Sequence, residues 1–246
     1  MPVFFIPSHT IKNQTILIEG PLFEHLTRSL RYREGDKIVV CDDTRHRHHI
    51  HIQSIKKAQL AGTILTTEKG PPPKGTTIIL GQALLKGEHM NWALQKATEL
   101  GVSTIVPLLT ARVIVRPKGD RFHSLQERYN RIARDAAQQA EHWEVPEVLS
   151  PTEIPTFFKN YRQAELKTIL VERGDRTGLE SLHLNNKTTG TIVIAVGPEG
   201  GWSPEESQLA QQNDFTPLSL GAPILRGETA SLAALSIIQF QLGNLD

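Results

Sequence analysis

Hydrophobic and polar positions along this chain change their spacing once. Up to about Lys69 the apolar residues come in short, β-prone runs: Gln14-Thr15-Ile16-Leu17-Ile18 and Lys37-Ile38-Val39-Val40-Cys41-Asp42. His49-Ile50-His51-Ile52-Gln53-Ser54-Ile55 alternates with period two, as does the end of Ala61-Gly62-Thr63-Ile64-Leu65. Strands this short and close together predict a small barrel or sandwich. Between the first two runs, Phe23, Leu26 and Leu30 fall on one face of a helix predicted over 23–30. Gly70-Pro71-Pro72-Pro73-Lys74-Gly75 then interrupts all regular structure, because prolines remove donors and glycines punctuate. This is the expected linker.

From Thr76 the pattern becomes strand–helix alternation. Thr77-Ile78-Ile79-Leu80-Gly81 and Thr104-Ile105-Val106-Pro107-Leu108 read as strands. Thr168-Ile169-Leu170-Val171 and Thr191-Ile192-Val193-Ile194-Ala195-Val196 are apolar runs of the kind found in buried parallel sheets. Helices are predicted over 88–100, with Gly101 as the stop, and over 124–141, 204–212 and 229–241. The expectation is a β-rich domain over 1–72 and an α/β domain over 73–246.

Composition adds exclusions. The chain of 246 residues is 39% hydrophobic and 22% charged, which is ordinary for a globular protein. Its 27 basic and 26 acidic residues leave a net charge of +1, so a nucleic-acid partner must be sought in local clusters. Cys41 is the only cysteine, which excludes an internal disulfide and a multi-thiolate zinc site and fits a reducing compartment. The opening MPVFFIPSHT does not read as a signal peptide, and no apolar run approaches the roughly 20 residues of a membrane span. A soluble, cytoplasmic protein is expected.

Two loops carry the chemistry. The first, Val196-Gly197-Pro198-Glu199-Gly200-Gly201-Trp202-Ser203-Pro204-Glu205-Glu206, runs from an apolar strand to a helix. Ligands of open α/β sheets bind outside the carboxyl ends of strands, and glycines there bring backbone donors close. Ser203 and Glu206 have capping-box spacing, with Pro204 at the first helical position, so a well-capped turn is the plainer alternative. The loop lacks the lysine of a P-loop. The second loop is Leu218-Ser219-Leu220-Gly221-Ala222-Pro223-Ile224-Leu225-Arg226-Gly227-Glu228-Thr229-Ala230. It presents one arginine and one glutamate ahead of an apolar helix. An Arg226–Glu228 ion pair at a helix start is its plainer alternative.

Together these loops resemble the knot-forming loops of the SPOUT methyltransferases, and specifically the RsmE family. Lys96-Ala97-Thr98-Glu99-Leu100-Gly101-Val102 resembles that family's K-x-x-E-L-G-V helix, and Thr110-Ala111-Arg112 its T-x-R segment. Arg131 to Gln139 is similar to its long helix, and Leu30-Arg31-Tyr32-Arg33-Glu34-Gly35-Asp36 to its N-terminal L-R-x-x-x-G-D. The chain departs from the family in Gln139-Ala140-Glu141-His142, where an arginine is common, and at Pro223 and Gly227. The resemblance implies S-adenosylmethionine-dependent methylation of N3 of a uridine in 16S ribosomal RNA of the small subunit. It implies a PUA-like RNA-binding barrel, a deep trefoil knot in the C-terminal α/β domain and a homodimer. It also implies a cofactor site at Leu170, Val171 and Glu172, at Gly197, Pro198, Glu199, Gly200 and Gly201, and at Leu218, Ser219, Leu220, Gly221, Ile224, Leu225 and Arg226.

Methyl transfer to an N–H position needs the proton removed and the developing charge stabilised. Arg226 is the candidate stabiliser, and Glu228 a weak base or an orienting partner of Arg226. RNA contacts are expected from Arg28, Arg31 and Arg33, and from Arg112 and Arg116 with Lys118. Arg45-His46-Arg47-His48-His49-Ile50-His51 reads as a solvated hairpin or a phosphate contact. No thiolate or carboxylate completes a metal set there, although Asp42 and Asp43 are near, and no metal is expected. Two other functions compete: a non-catalytic RNA-binding assembly factor that keeps the fold, and a nucleotide-binding enzyme, which the missing P-loop lysine disfavours.

Overall fold

The chain divides into two units in a computed structural model that describes residues 2–73, 75–113, 116, 117, 119, 121–172, 177, 178, 182, 184, 185 and 188–245. One unit comprises Met1–Pro72 and Ala137–Val145, the other Pro73–Ala136 and Pro146–Asp246.

The first unit is a six-stranded sheet. Its strands are β1 (Val3–Ile6), β2 (Ile11–Lys12), β3 (Thr15–Glu19), β4 (Lys37–Asp42), β5 (His46–Lys56) and β6 (Gln59–Lys69), paired in the order β1-β4-β5-β6-β3-β2. Phe4 and Ile6 from one end of that order share a core cluster with Ile16 and Ile18 from the other. The sheet therefore curls around its apolar face. The helix predicted over 23–30 is instead a short α1 (Gly20–Glu24) followed by a π-helical turn, His25–Ser29. Leu30 N donates to His25 O at 3.0 Å. The wider turn rotates Leu30 off the face it was expected to share, so Phe23 and Leu26 are buried while Leu30 is 43% exposed.

The arginine- and histidine-rich run is structural. Asp42 accepts hydrogen bonds from Thr44 N, Thr44 Oγ1 and His46 N, at 2.9, 2.7 and 2.9 Å. His48 Nε2 lies 3.1 Å from its other oxygen, and His48 Nδ1 2.9 Å from Thr67 Oγ1. Burial pushes the Asp42 carboxyl up, but these donors outweigh it and hold it below its usual value. The open basic surface considered for Arg45 and Arg47 is not formed. Arg45 pairs with Glu144 at 2.6 Å, and Arg47 lies 3.7 Å over the Trp143 ring and donates to the Glu141 carbonyl. A planar guanidinium stacks well on indole, so both arginines serve to hold the distant segment 137–145. Cys41 is buried beneath it, its thiol pushed up to about 11 by burial against the opposing pull of Arg47.

The second unit is a parallel sheet. It contains β7 (Thr76–Ala83), α2 (Glu88–Glu99), β8 (Thr104–Leu109), α3 (Arg121–Gln139), whose end enters the first unit, β9 (Glu147–Val148), β10 (Thr152–Glu153) and α4 (Ile154–Asn160). Then follow β11 (Leu166–Leu170), β12 (Thr177–Gly178), β13 (Gly190–Val196), α5 (Pro204–Gln212), β14 (Thr216–Ser219) and α6 (Gly227–Gln241). The strand order is β10-β8-β7-β13-β11-β14-β12, with β9 also on β8. The strands are apolar throughout because both faces are covered. Ile78, Leu80, Ile192 and Ile194 face α2, α3 and α6 residues, while Ile79, Val193 and Ala195 pack with Phe157, Phe158 and Phe215. No described helix is long and apolar enough to cross a membrane.

Candidate active site

A cavity of about 620 Å³ opens at the carboxyl ends of β11, β13 and β14. This is where strand order departs from chain order, since β13 lies between β7 and β11. Crevices at such points are the ligand sites of open α/β sheets.

The wall after β13 is held from three sides. Gly201, at φ +68°, donates to Pro198 O at 2.9 Å and closes a turn that a side chain there would strain. Trp202 Nε1 donates to Leu170 O at 2.9 Å, which ties the loop to the end of β11. Arg112 Nη1 donates to Gly200 O at 2.8 Å, and Lys86 N to Glu199 Oε1 at 3.1 Å. The capping box on α5 is complete: Glu206 N donates to Ser203 Oγ and Ser203 N to Glu206 Oε2, at 3.2 and 2.8 Å. The other Glu206 oxygen accepts Ala111 N at 2.7 Å, so one buried carboxylate joins this loop to the segment after β8. Ser203 Oγ also donates to Glu205, which holds that carboxyl below its usual value.

The wall after β14 ends at the start of α6. Ser219, Leu220, Gly221, Ile224, Leu225 and Arg226 line the cavity, as do Leu170, Val171, Glu172 and the residues from Gly197 to Gly201. Leu218 lies behind them in the core, paired with Leu170 of β11, so its side chain belongs to the sheet rather than the cavity. Arg226 is the exposed N-cap residue of α6, and Glu228 in the first turn is buried. The Arg226–Glu228 ion pair is not formed. His89, in the first turn of α2, takes the carboxylate instead, with Nδ1 2.8 Å from Oε1. Gly227 lets the start of α6 sit close to the loop after β13 and to Leu85: a Cβ there would meet Gly197 O at 3.1 Å and Leu85 Cδ2 at 3.0 Å.

The other expected basic residues lie elsewhere. Arg28, Arg31 and Arg33 are exposed in the first unit, where Arg28 sits 3.3 Å from Glu24. Arg116 pairs with Glu153 at 2.7 Å, and Lys118 lies outside the described residues. Sequence reasoning missed His89 and Trp202 as cavity residues. Trp202 sat inside the loop already singled out, but nothing local marks His89, since its relation to Glu228 is made by the contact of α2 with α6.

The chain matches the RNA methyltransferase domain over residues 72–239 and the RNA methyltransferase PUA domain over residues 18–65. Ribosomal RNA small subunit methyltransferase E of Synechocystis sp. is 32% identical over 227 residues, which cover 91% of this chain and 72% of that protein. The protein of the same name from Bacillus subtilis is 28% identical over 233 residues, covering 92% and 90%. The crystal structure of ribosomal RNA small subunit methyltransferase E from Neisseria gonorrhoeae bound to S-adenosyl methionine superposes with a TM-score of 0.85 at 30% identity. It covers 98% of this chain and 97% of that one.

Proposed function

Because this chain belongs to the family of ribosomal RNA small subunit methyltransferase E, we propose that it methylates ribosomal RNA of the small subunit from S-adenosylmethionine, at N3 of one uridine. The observation that carries this reading is the cavity bounded by two glycine-bearing loops at the carboxyl ends of β11, β13 and β14. A binder without catalysis has no need of such a cavity.

The residues fit the cofactor. The volume of about 620 Å³ is in the range of small-molecule sites. Leu170, Leu220, Ile224 and Leu225 offer apolar contact to an adenine, and the carboxylates of Glu172 and Glu199 suit a ligand carrying positive charge. When bound, the cofactor supplies an electrophilic methyl group, and the protein's work is to position and polarise. Arg226 lines the cavity and forms no ion pair among the described residues, so its guanidinium is available to stabilise negative charge growing on the uracil ring.

The same reading includes the knot, the homodimer and a cytoplasmic location. β13 follows β7 and β11 in the chain yet lies between them, which supports a threaded path. Trp92, Ile237 and Phe240 are exposed on α2 and α6, which supports their cover by a second copy. Residues 1–72 would serve as the RNA-binding module and 73–246 as the methyltransferase, with Arg28, Arg31 and Arg33 as phosphate contacts.

The test is transfer from labelled S-adenosylmethionine to small subunits that lack the modification, followed by nucleoside mass spectrometry. The expected product is 3-methyluridine at one position. Cofactor binding without transfer would overturn the substrate. In the same assay Arg226→Ala should lower turnover at least about 100-fold while cofactor affinity stays within about threefold. Near-normal turnover would remove Arg226 from its role.

A further inference from the structure

Glu228 is buried in the first turn of α6, and its Oε1 lies 2.8 Å from Nδ1 of His89. His89 is half-exposed and lines the same cavity as Arg226. A carboxylate against one ring nitrogen keeps the proton there and leaves the lone pair on the other. It also stabilises the imidazolium that forms when that second nitrogen takes a proton. We propose that His89 Nε2 is the base that accepts the N3 proton of the target uracil, with Glu228 as the positioning residue that sets its tautomer and offsets its charge.

This rests on reading the site as one for uracil methylation. The step balances. The N3–H bond breaks and its proton goes to Nε2. N3 bonds to the methyl carbon as that carbon's bond to sulfur breaks, with the electron pair staying on sulfur. The imidazolium then returns the proton to water. Among the described residues, Arg112, Arg226, Glu172 and Glu199 are the other charged groups on the cavity wall. Glu88, beside His89 on α2, lies 3.9 Å from Arg128 of α3. Arg226 and His89 thus divide the work, one facing the charge on the ring and the other the proton.

Two measurements test the proposal. The first needs no turnover: ¹⁵N-labelled imidazole correlation spectra of the whole protein, with His89 assigned by its loss in His89→Gln. Neutral His89 should carry its proton on Nδ1, and its tautomer ratio should shift toward Nε2 in Glu228→Gln. A proton on Nε2 in the wild type, or a tautomer ratio unmoved in Glu228→Gln, overturns the proposal whatever the activity. The second is kinetic. kcat/KM of the wild type should rise with pH along a limb that needs one neutral base. His89→Gln should lose that limb, fall about 100-fold in kcat and become active only where the uracil ring itself ionises. Its affinity for S-adenosylmethionine by calorimetry should stay within about twofold. A matching loss of affinity would make His89 a cofactor ligand, and an unchanged pH profile would remove it from the reaction. If the wild type transfers nothing to small subunits, the substrate reading fails, and the tautomer measurement decides on the His89–Glu228 couple alone.

Discussion

Asp42 keeps its charge in a buried position because Thr44, His46 and His48 all direct donors at it. Its folded value lies below the unfolded one. The stabilisation it brings is therefore complete above the unfolded value of about 3.9 and is lost as pH falls through the lower folded value. Asp42→Asn should cost about 1 kcal/mol at neutral pH, the screened end of the range for hydrogen bonds to a charged group. The gap to the wild type should close in strong acid. Urea unfolding at pH 7 and pH 3 checks this, and an equal gap at both would show that charge is not the cause. At this scale much of the site was legible: glycines where φ turns positive, and an arginine and a glutamate at a helix start. His89 was not, because a histidine in the first turn of a helix has no sequence neighbour that marks it.

Among the elements, α5 shows what one side chain does at a helix start. Ser203→Ala removes the acceptor for Glu206 N and should cost about 1 kcal/mol. Glu206→Ala should cost more, about 2–3 kcal/mol, because it removes a buried carboxylate that accepts from both Ser203 N and Ala111 N. Thermal denaturation of the two variants ranks them, and equal losses would mean that the bond to Ala111 contributes nothing. The capping box was readable from Ser203 and Glu206, since its partners lie within one turn. The bond to Ala111 was not, because it joins loops that only the sheet brings together. Elements of low contrast were missed for a similar reason. β1 and α4 are short, and their apolar residues have no period long enough to read; Phe157 and Phe158 sit side by side in α4.

At the scale of the molecule, α6 is apolar beyond the face it buries. Leu235 and Ile238 are in the core, whereas Ile237 and Phe240 are exposed, Phe240 by 65%. Neighbouring exposed apolar side chains on a packed helix are what the proposed homodimer would bury. The homodimer proposed above predicts that Phe240→Asp halves the mass seen by sedimentation, with the far-ultraviolet circular dichroism retained. It also predicts a loss of methyl transfer of at least tenfold if the site needs both copies. An unchanged mass would remove this face from the interface.

What the sequence determined by itself was local. Period-two alternation marked β5 and β6 of the first unit, and continuous apolar runs marked the doubly covered strands β7, β11 and β13. Glycine, proline and capping residues marked both loops of the cavity, because turn geometry and helix starts depend on neighbours a few residues away. Tertiary structure decided the rest. It set β13 between β7 and β11, gave segment 137–145 to the first unit through Arg45 and Arg47, and put Glu228 against His89. These contacts join residues far apart in the chain. Their energy comes from burial and electrostatics at close range, which exist only after the sheet and its helices have packed.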